Sequence, residues 1–219
     1  MPIVNHRARQ ISCKIVYFGP SLGGKTTSIR VIHEALPKEH CSSLRTIETE
    51  EDRTLFFDFF SLETAEIGGL RVLFQVYGVP GQSLYRSTRK MVLMGADGII
   101  FVADSAADRL DDNLVAFEDL KDLLVEHNYD YEDIPLVMQY NKRDLPEINP
   151  VERLELCLND RRAPYFESIA TEGKGVREAF KAICREVLAK LNRDLMGAQA
   201  ARQPPAGVHK AESADASAN

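Results

Sequence analysis

The run Gly19-Pro-Ser-Leu-Gly-Gly24-Lys25-Thr26 constrains this chain more tightly than any other feature. It has the spacing G-x-x-x-x-G-K-T. A strand-like run, residues 11–18, precedes it, and a helical pattern from Thr26 to about Leu36 follows. In that setting the glycines let the backbone wrap closely around phosphates, with successive N–H groups pointing inward. The candidate phosphate-binding residues are Gly19, Ser21, Leu22, Gly23 and Gly24 in the loop, and Lys25, Thr26 and Thr27 at the helix start. Lys25 adds a point charge at the β- and γ-phosphates, and the Thr26 hydroxyl can ligate Mg²⁺. The competing reading is a Gly-rich turn that only joins a strand to a helix.

The rest of the chain alternates strand-like and helical patterns. Residues 54–62 and 70–77 read as a hairpin across Gly68-Gly69. Residues 98–104 and 134–140 are continuous apolar strands, as in parallel sheets covered on both faces. Between them Leu110, Leu114, Phe117, Leu120 and Leu124 share one helical face. A short strand at 164–169 precedes a closing helix whose stripe runs from Val176 to Leu191 and ends near Leu195. The polar residues 38–53 show no periodicity and are expected to form a long mobile loop. This order predicts an α/β fold: a mostly parallel six-stranded sheet with helices on both faces. One domain would span residues 1–195, with a disordered tail at 196–219 that is almost free of large apolar side chains.

Charge narrows the function. Lys and Arg number 27 against 33 Asp and Glu, a net charge of −6, which argues against a nucleic-acid binder or a polybasic membrane anchor. The longest strongly apolar stretch, residues 98–103, is too short to span a bilayer, and the first six residues lack a secretory core. Cys13, Cys41, Cys157 and Cys184 are scattered without CxxC spacing, which disfavours a zinc site or redox pair. The expectation is a cytoplasmic protein with no integral membrane segment.

A second motif bears on which nucleotide binds. Asn141-Lys-Arg-Asp144 follows directly on an apolar strand, at the carboxyl end where open α/β sheets hold their ligands. Asn141, Lys142 and Asp144 are therefore guanine-binding candidates. The Asp144 carboxylate can accept from both N1–H and the 2-amino group of guanine, whereas adenine would leave it unpaired. A polar turn is the alternative.

The chain resembles a small Ras-like P-loop GTPase from about residue 11 to residue 195. Three segments are similar to the prokaryotic MglA family, which acts in bacterial polarity and motility: residues 19–27, Asp52-Arg-Thr-Leu-Phe-Phe-Asp-Phe, and Val79-Pro-Gly-Gln82. That resemblance implies a monomeric GTP/GDP switch, slow in hydrolysis unless stimulated. Its partners would be a Roadblock/LC7-type, MglB-like activator and downstream effectors, with recruitment to a cell pole. Gln82 resembles the residue that orients the attacking water, and Gly81 beside it a phosphate contact. Thr54 resembles the switch threonine that senses γ-phosphate and Mg²⁺. Arg53 would serve as an arginine finger in cis, and the Ala170 N–H would meet guanine O6.

The sequence departs from typical Ras-like proteins at Gly78, where an Asp usually holds the metal through water. Asp58 is a candidate substitute, with a solvent-facing strand residue as the alternative. Phe56, Phe57, Phe59 and Phe60 place aromatics on both faces around Asp58, which reads either as a weakly specified register or as a strand covered on both sides. If two registers compete, γ-phosphate contact at Thr54 would select one. Arg86, Arg89 and Lys90 read as a basic patch: a solvated face, or an effector surface. Two other functions compete with the switch. One is a non-hydrolysing nucleotide-bound scaffold, suggested by Gly78; the other is a P-loop ATPase or kinase, disfavoured by residues 141–144.

Overall fold

The computed structural model describes residues 2–5, 7–47, 57–67, 69–79 and 86–202. The strands are β1 (Ile3–Asn5), β2 (Gln10–Phe18), β3 (Arg45–Ile47), β4 (Phe57–Ile67), β5 (Leu70–Gly78), β6 (Gly98–Asp104), β7 (Leu136–Asn141) and β8 (Tyr165–Glu167). The helices are α1 (Lys25–Ala35), α2 (Arg86–Leu93), α3 (Leu110–Glu126), α4 (Val151–Leu158) and α5 (Val176–Arg202). One sheet runs in the order β3-β4-β5-β2-β6-β7-β8. Its five members from β5 to β8 are parallel, and β4 and β3 add antiparallel at one side. The six expected strands are all present. The two extra ones are three residues each, too short for alternation to show. β1 pairs with residues 10–12 of β2, on the stretch of that strand that precedes β6.

Alternation along the central strands divides the core in two. Ile11, Cys13, Ile15 and Tyr17 of β2 pack with Ile29 and Ile32 of α1 and the Val176-to-Leu191 stripe of α5. Val16 and Phe18 face the other way, toward α2, α3 and α4. Every residue of β6 and β7 is buried, because helices cover both faces. At Gly98 the α5 helix comes so close that an added Cβ would stand 2.5 Å from Val187 Cγ2 and 3.1 Å from Ile183. Glycine here is a packing requirement.

Two expectations need correction, and one element is new. Residues 38–47 are not a structureless loop. They hold a 3₁₀ turn (Lys38–His40), a bridge from Cys41 to Leu62, and β3 on the outer side of β4. The backbone groups on the outer side of β4 draw this segment in: Ser42 N–H donates to the Ser61 carbonyl and Ser61 N–H to Ser42 Oγ, each at 2.9 Å. The closing helix runs past Leu195 to Arg202, through a stretch in which Ala198, Gln199, Ala200, Ala201 and Arg202 have good helix propensity despite Gly197. Residues 203–219 lie outside the described residues. Helix α4 was not anticipated, although Pro150 before it and Leu154 and Leu158 one turn apart are its signature.

The phenylalanine-rich strand has one register in this structure. Phe60 and Leu62 are buried, and Phe59, opposite Tyr77, packs ring to ring against it at 4.7 Å. A bulge between Glu63 and Ala65 shifts the pairing beyond. Phe56 lies outside the described residues.

Replacing Gly98 with valine forces α5 away from β6. Urea unfolding should show a loss of about 1–3 kcal/mol, the usual cost of overpacking a filled core.

Candidate functional site

The candidate loops all follow the carboxyl ends of parallel strands. β2 leads into residues 19–24, which open α1; β7 ends at Asn141; β8 leads to Ala170. Two glycines are required where they stand. Gly19 has φ +138 and lies so close to β6 that a Cβ would sit 2.2 Å from the Val102 carbonyl oxygen. Gly24 has φ +103, with a Cβ position 2.1 Å from Asn141 Nδ2. Between them Leu22 takes φ +61 and is 82% exposed. Thr26 is exposed at the start of α1 and Thr27 is half-buried.

Lys25 is only 6% exposed, and its ammonium folds back over the loop, donating to Gly19 O at 2.9 Å and Pro20 O at 2.6 Å. Burial, with the Arg89 cation second, lowers its pKa to about 7.

Asn141 ties three loops together. Its Nδ2 donates to Gly23 O at 2.9 Å, while its Oδ1 accepts from Ala170 N–H at 2.9 Å and from Ser168 Oγ at 3.1 Å. The Ala170 N–H that the resemblance assigns to guanine O6 is the one bonded to Asn141 here. Lys142, at φ +65, reaches Asp104 Oδ2 at 2.5 Å. Asp144 is exposed on the wall of a cavity of about 260 Å³ that Leu22, Gly24, Asn141, Leu145 and Ala170 also line. A larger cavity, about 490 Å³, lies at the opposite end of the sheet beside Asp97 and Ile134 and shares no residue with this one.

A strand-to-helix phosphate-type loop bonded to an Asn-Lys-x-Asp segment is a nucleotide-site architecture, and comparison with known proteins agrees. The model of the Ras family matches residues 14–189. The "Mutual gliding-motility protein MglA" of Myxococcus xanthus is 44% identical over 193 residues, 88% of this chain and 99% of that protein. The Ypt/Rab-type GTPase avaA of Emericella nidulans is 26% identical over 186 residues, 83% of this chain and 85% of the relative. Human Rab-8B is 26% identical over 136 residues, 62% and 64% of the two chains. The chain belongs to the Ras family, as an MglA-type small GTPase.

In this GTPase the backbone at Gly78 ends β5 directly opposite Asp58 of β4. Arg53, Thr54, Gly81 and Gln82, the expected switch and hydrolysis residues, lie outside the described residues. The basic patch is corrected. Arg89 is buried and pairs with Asp119 at 2.8 Å, Arg86 bridges Asp119 at 3.0 Å and Glu126 at 2.7 Å, and Lys90 meets Glu126 at 2.8 Å. Acids of α3 neutralise the cations of α2, and the two cations at Glu126 hold its pKa down to about 2. Spacing on α2 alone could not reveal partners contributed by α3. Among the described residues no helix is long and apolar enough to cross a membrane.

Because Lys25 is poised near pH 7, GDP binding at pH 8.5 should take up about one proton. Above its free-state pKa the lysine is neutral, and phosphate favours the charged form, so affinity should rise as pH falls from 9 toward 7. Calorimetry in buffers of different ionisation enthalpy measures this directly; zero uptake would mean that Lys25 stays charged throughout.

Proposed function

We propose that this GTPase is a GTP/GDP switch in bacterial polarity or motility, slow in hydrolysis until a Roadblock/LC7-type, MglB-like activator engages it. The observation that carries the reading is the Asn141 side chain, which joins the Gly23 loop to the Ala170 loop around one cavity. A nucleotide is the ligand with a phosphate end for the first loop and a base end for the second. The name of the Myxococcus relative supports the motility assignment.

In this reading Gly19, Ser21, Leu22, Gly23, Gly24, Lys25, Thr26 and Thr27 cradle the phosphates, with Gly81 closing from the other side. Asn141, Lys142, Asp144 and Ala170 bind guanine. The donor chemistry at α1 fits Mg²⁺: the exposed Thr26 hydroxyl is a hard oxygen, and such an ion keeps waters and phosphate oxygens as its other ligands. Thr26 and Thr54 would hold it, and when bound it would neutralise phosphate charge. Hydrolysis asks the protein to orient water and to offset charge spreading over the γ-phosphate oxygens. Gln82 would do the first, while Arg53 and Lys25 would do the second.

Gly78 favours one alternative, a nucleotide-bound scaffold that does not hydrolyse, since it offers no carboxylate for the metal. Phosphate release with and without the activator separates the two.

GTP and GDP should bind while ATP does not, and Asp144→Asn should move preference toward xanthine nucleotides. Equal affinity of the native protein for ATP and GTP would sink the guanine assignment. Gln82→Leu and Arg53→Ala should each keep GTP binding nearly intact while cutting hydrolysis at least about tenfold. Lost binding with normal turnover per bound nucleotide would make both residues structural.

A further inference from the structure

Arg109 lies outside the loops of the site, in the turn between β6 and α3, yet it grips the phosphate loop. Its Nη2 donates to the Ser21 carbonyl oxygen at 2.9 Å. Two carboxylates fix the guanidinium from behind: Asp112 Oδ2 is 2.5 Å from Nη1 and Asp104 Oδ2 is 3.7 Å from Nε. Asp104 is itself immobilised. Its Oδ1 accepts from Ala106 N–H at 3.1 Å and its Oδ2 from Lys142 Nζ at 2.5 Å, while its backbone exchanges two 2.8 Å bonds with the buried Asn113 amide. One buried carboxylate thus steadies a residue of the base motif and the arginine that holds the phosphate loop.

The peptide unit that Arg109 holds is the informative part. The Ser21 carbonyl and the Leu22 N–H belong to the same unit, and the chain contains no cis peptide bond among the described residues. In a planar trans unit the C=O and the N–H point in opposite directions. A guanidinium that fixes the oxygen on one side of the loop therefore fixes the Leu22 N–H on the other. A charged donor at the oxygen also polarises the unit and strengthens its N–H as a donor. Leu22 has φ +61, a left-handed conformation that a leucine rarely adopts, so the local backbone needs such an outside restraint.

We infer that Arg109 is a positioning residue for GTP hydrolysis: through the Ser21 carbonyl it aims and polarises the Leu22 N–H toward the phosphate chain, where charge develops as the γ-phosphoryl group leaves. This rests on the reading of residues 19–26 as the phosphate cradle. Arg109 touches no reacting atom; it acts through one peptide unit.

The test uses full-length ¹⁵N-labelled protein and follows the Leu22 amide in the GDP-bound state together with single-turnover GTP hydrolysis. In Arg109→Ala the Leu22 amide proton should move upfield and hydrolysis should fall about tenfold, less than the loss of a whole oxyanion donor, with GDP affinity changed less than about threefold. Arg109→Lys keeps a cation within reach and should recover part of both. If Arg109→Ala does not fold, Arg109→Lys carries the same readouts, with smaller displacements in the same direction. An unmoved Leu22 resonance together with a native hydrolysis rate overturns the proposal. So does a slower rate with no change at Leu22, which marks a merely structural role. The parent reading has its own control: if GDP moves no amide of residues 19–26 in the native protein, the cradle fails and the proposal falls with it. If those amides move and Arg109→Ala leaves Leu22 in place, the proposal alone falls.

Discussion

The side-chain amide of Asn141 is the interaction on which the site depends. One carboxamide has a donor end and an acceptor end at fixed separation, and here the first is bonded to Gly23 and the second to Ala170 and Ser168. Each of these loops follows a different strand, so no element of secondary structure relates them directly. Neighbouring Gln139 extends the arrangement inward, donating to Ser28 of α1 at 2.9 Å and to Ser168 at 3.1 Å. Buried amide networks of this kind define geometry because every misplacement strands a polar group away from water. Gly24 follows from the same requirement, since any side chain there would occupy the space of the Asn141 nitrogen.

Electrostatics is arranged on two scales. Around the loop of residues 19–24 two cations are held on short leashes: Lys25 by backbone carbonyls, Arg109 by carboxylates. Farther out, α2 and α3 trade opposite charges through Asp119 and Glu126. Exposed pairs of that sort contribute little to stability each, but Arg89 is buried, and its pairing with Asp119 locks the orientation of α2 against α3.

Much of the architecture was legible because its signals are local. Continuous apolar runs marked β6 and β7, a 3.6-residue stripe marked α3 and α5, and one spacing marked the loop between β2 and α1. What escaped depends on contacts between distant segments. Residues 38–47 become ordered only because β4 offers an edge to pair with, and three residues carry no period. The exposure of Asp144 and the engagement of the Ala170 N–H are properties of the assembled loops, invisible in a tetrapeptide. Arg109 shows the same limit from the other side. It stands 88 residues from Ser21 in sequence and belongs to no motif, so only the closure of the sheet reveals what it holds.

The bond between Asn141 and Gly23 also has a meaning in time. It spans 118 residues of sequence. A chain made from its amino end at roughly 5–20 residues per second exposes the loop of residues 19–24 about ten seconds before its partner exists. Parallel strands add to the delay, because β2 needs β5 and β6, and α5, which covers β6 and β7 on the α1 side of the sheet, is the last helix to be made. Nascent chains of this GTPase therefore pass most of their synthesis with an incomplete site, and nucleotide can act as a folding ligand only at the end, once nearly the whole chain has left the ribosome.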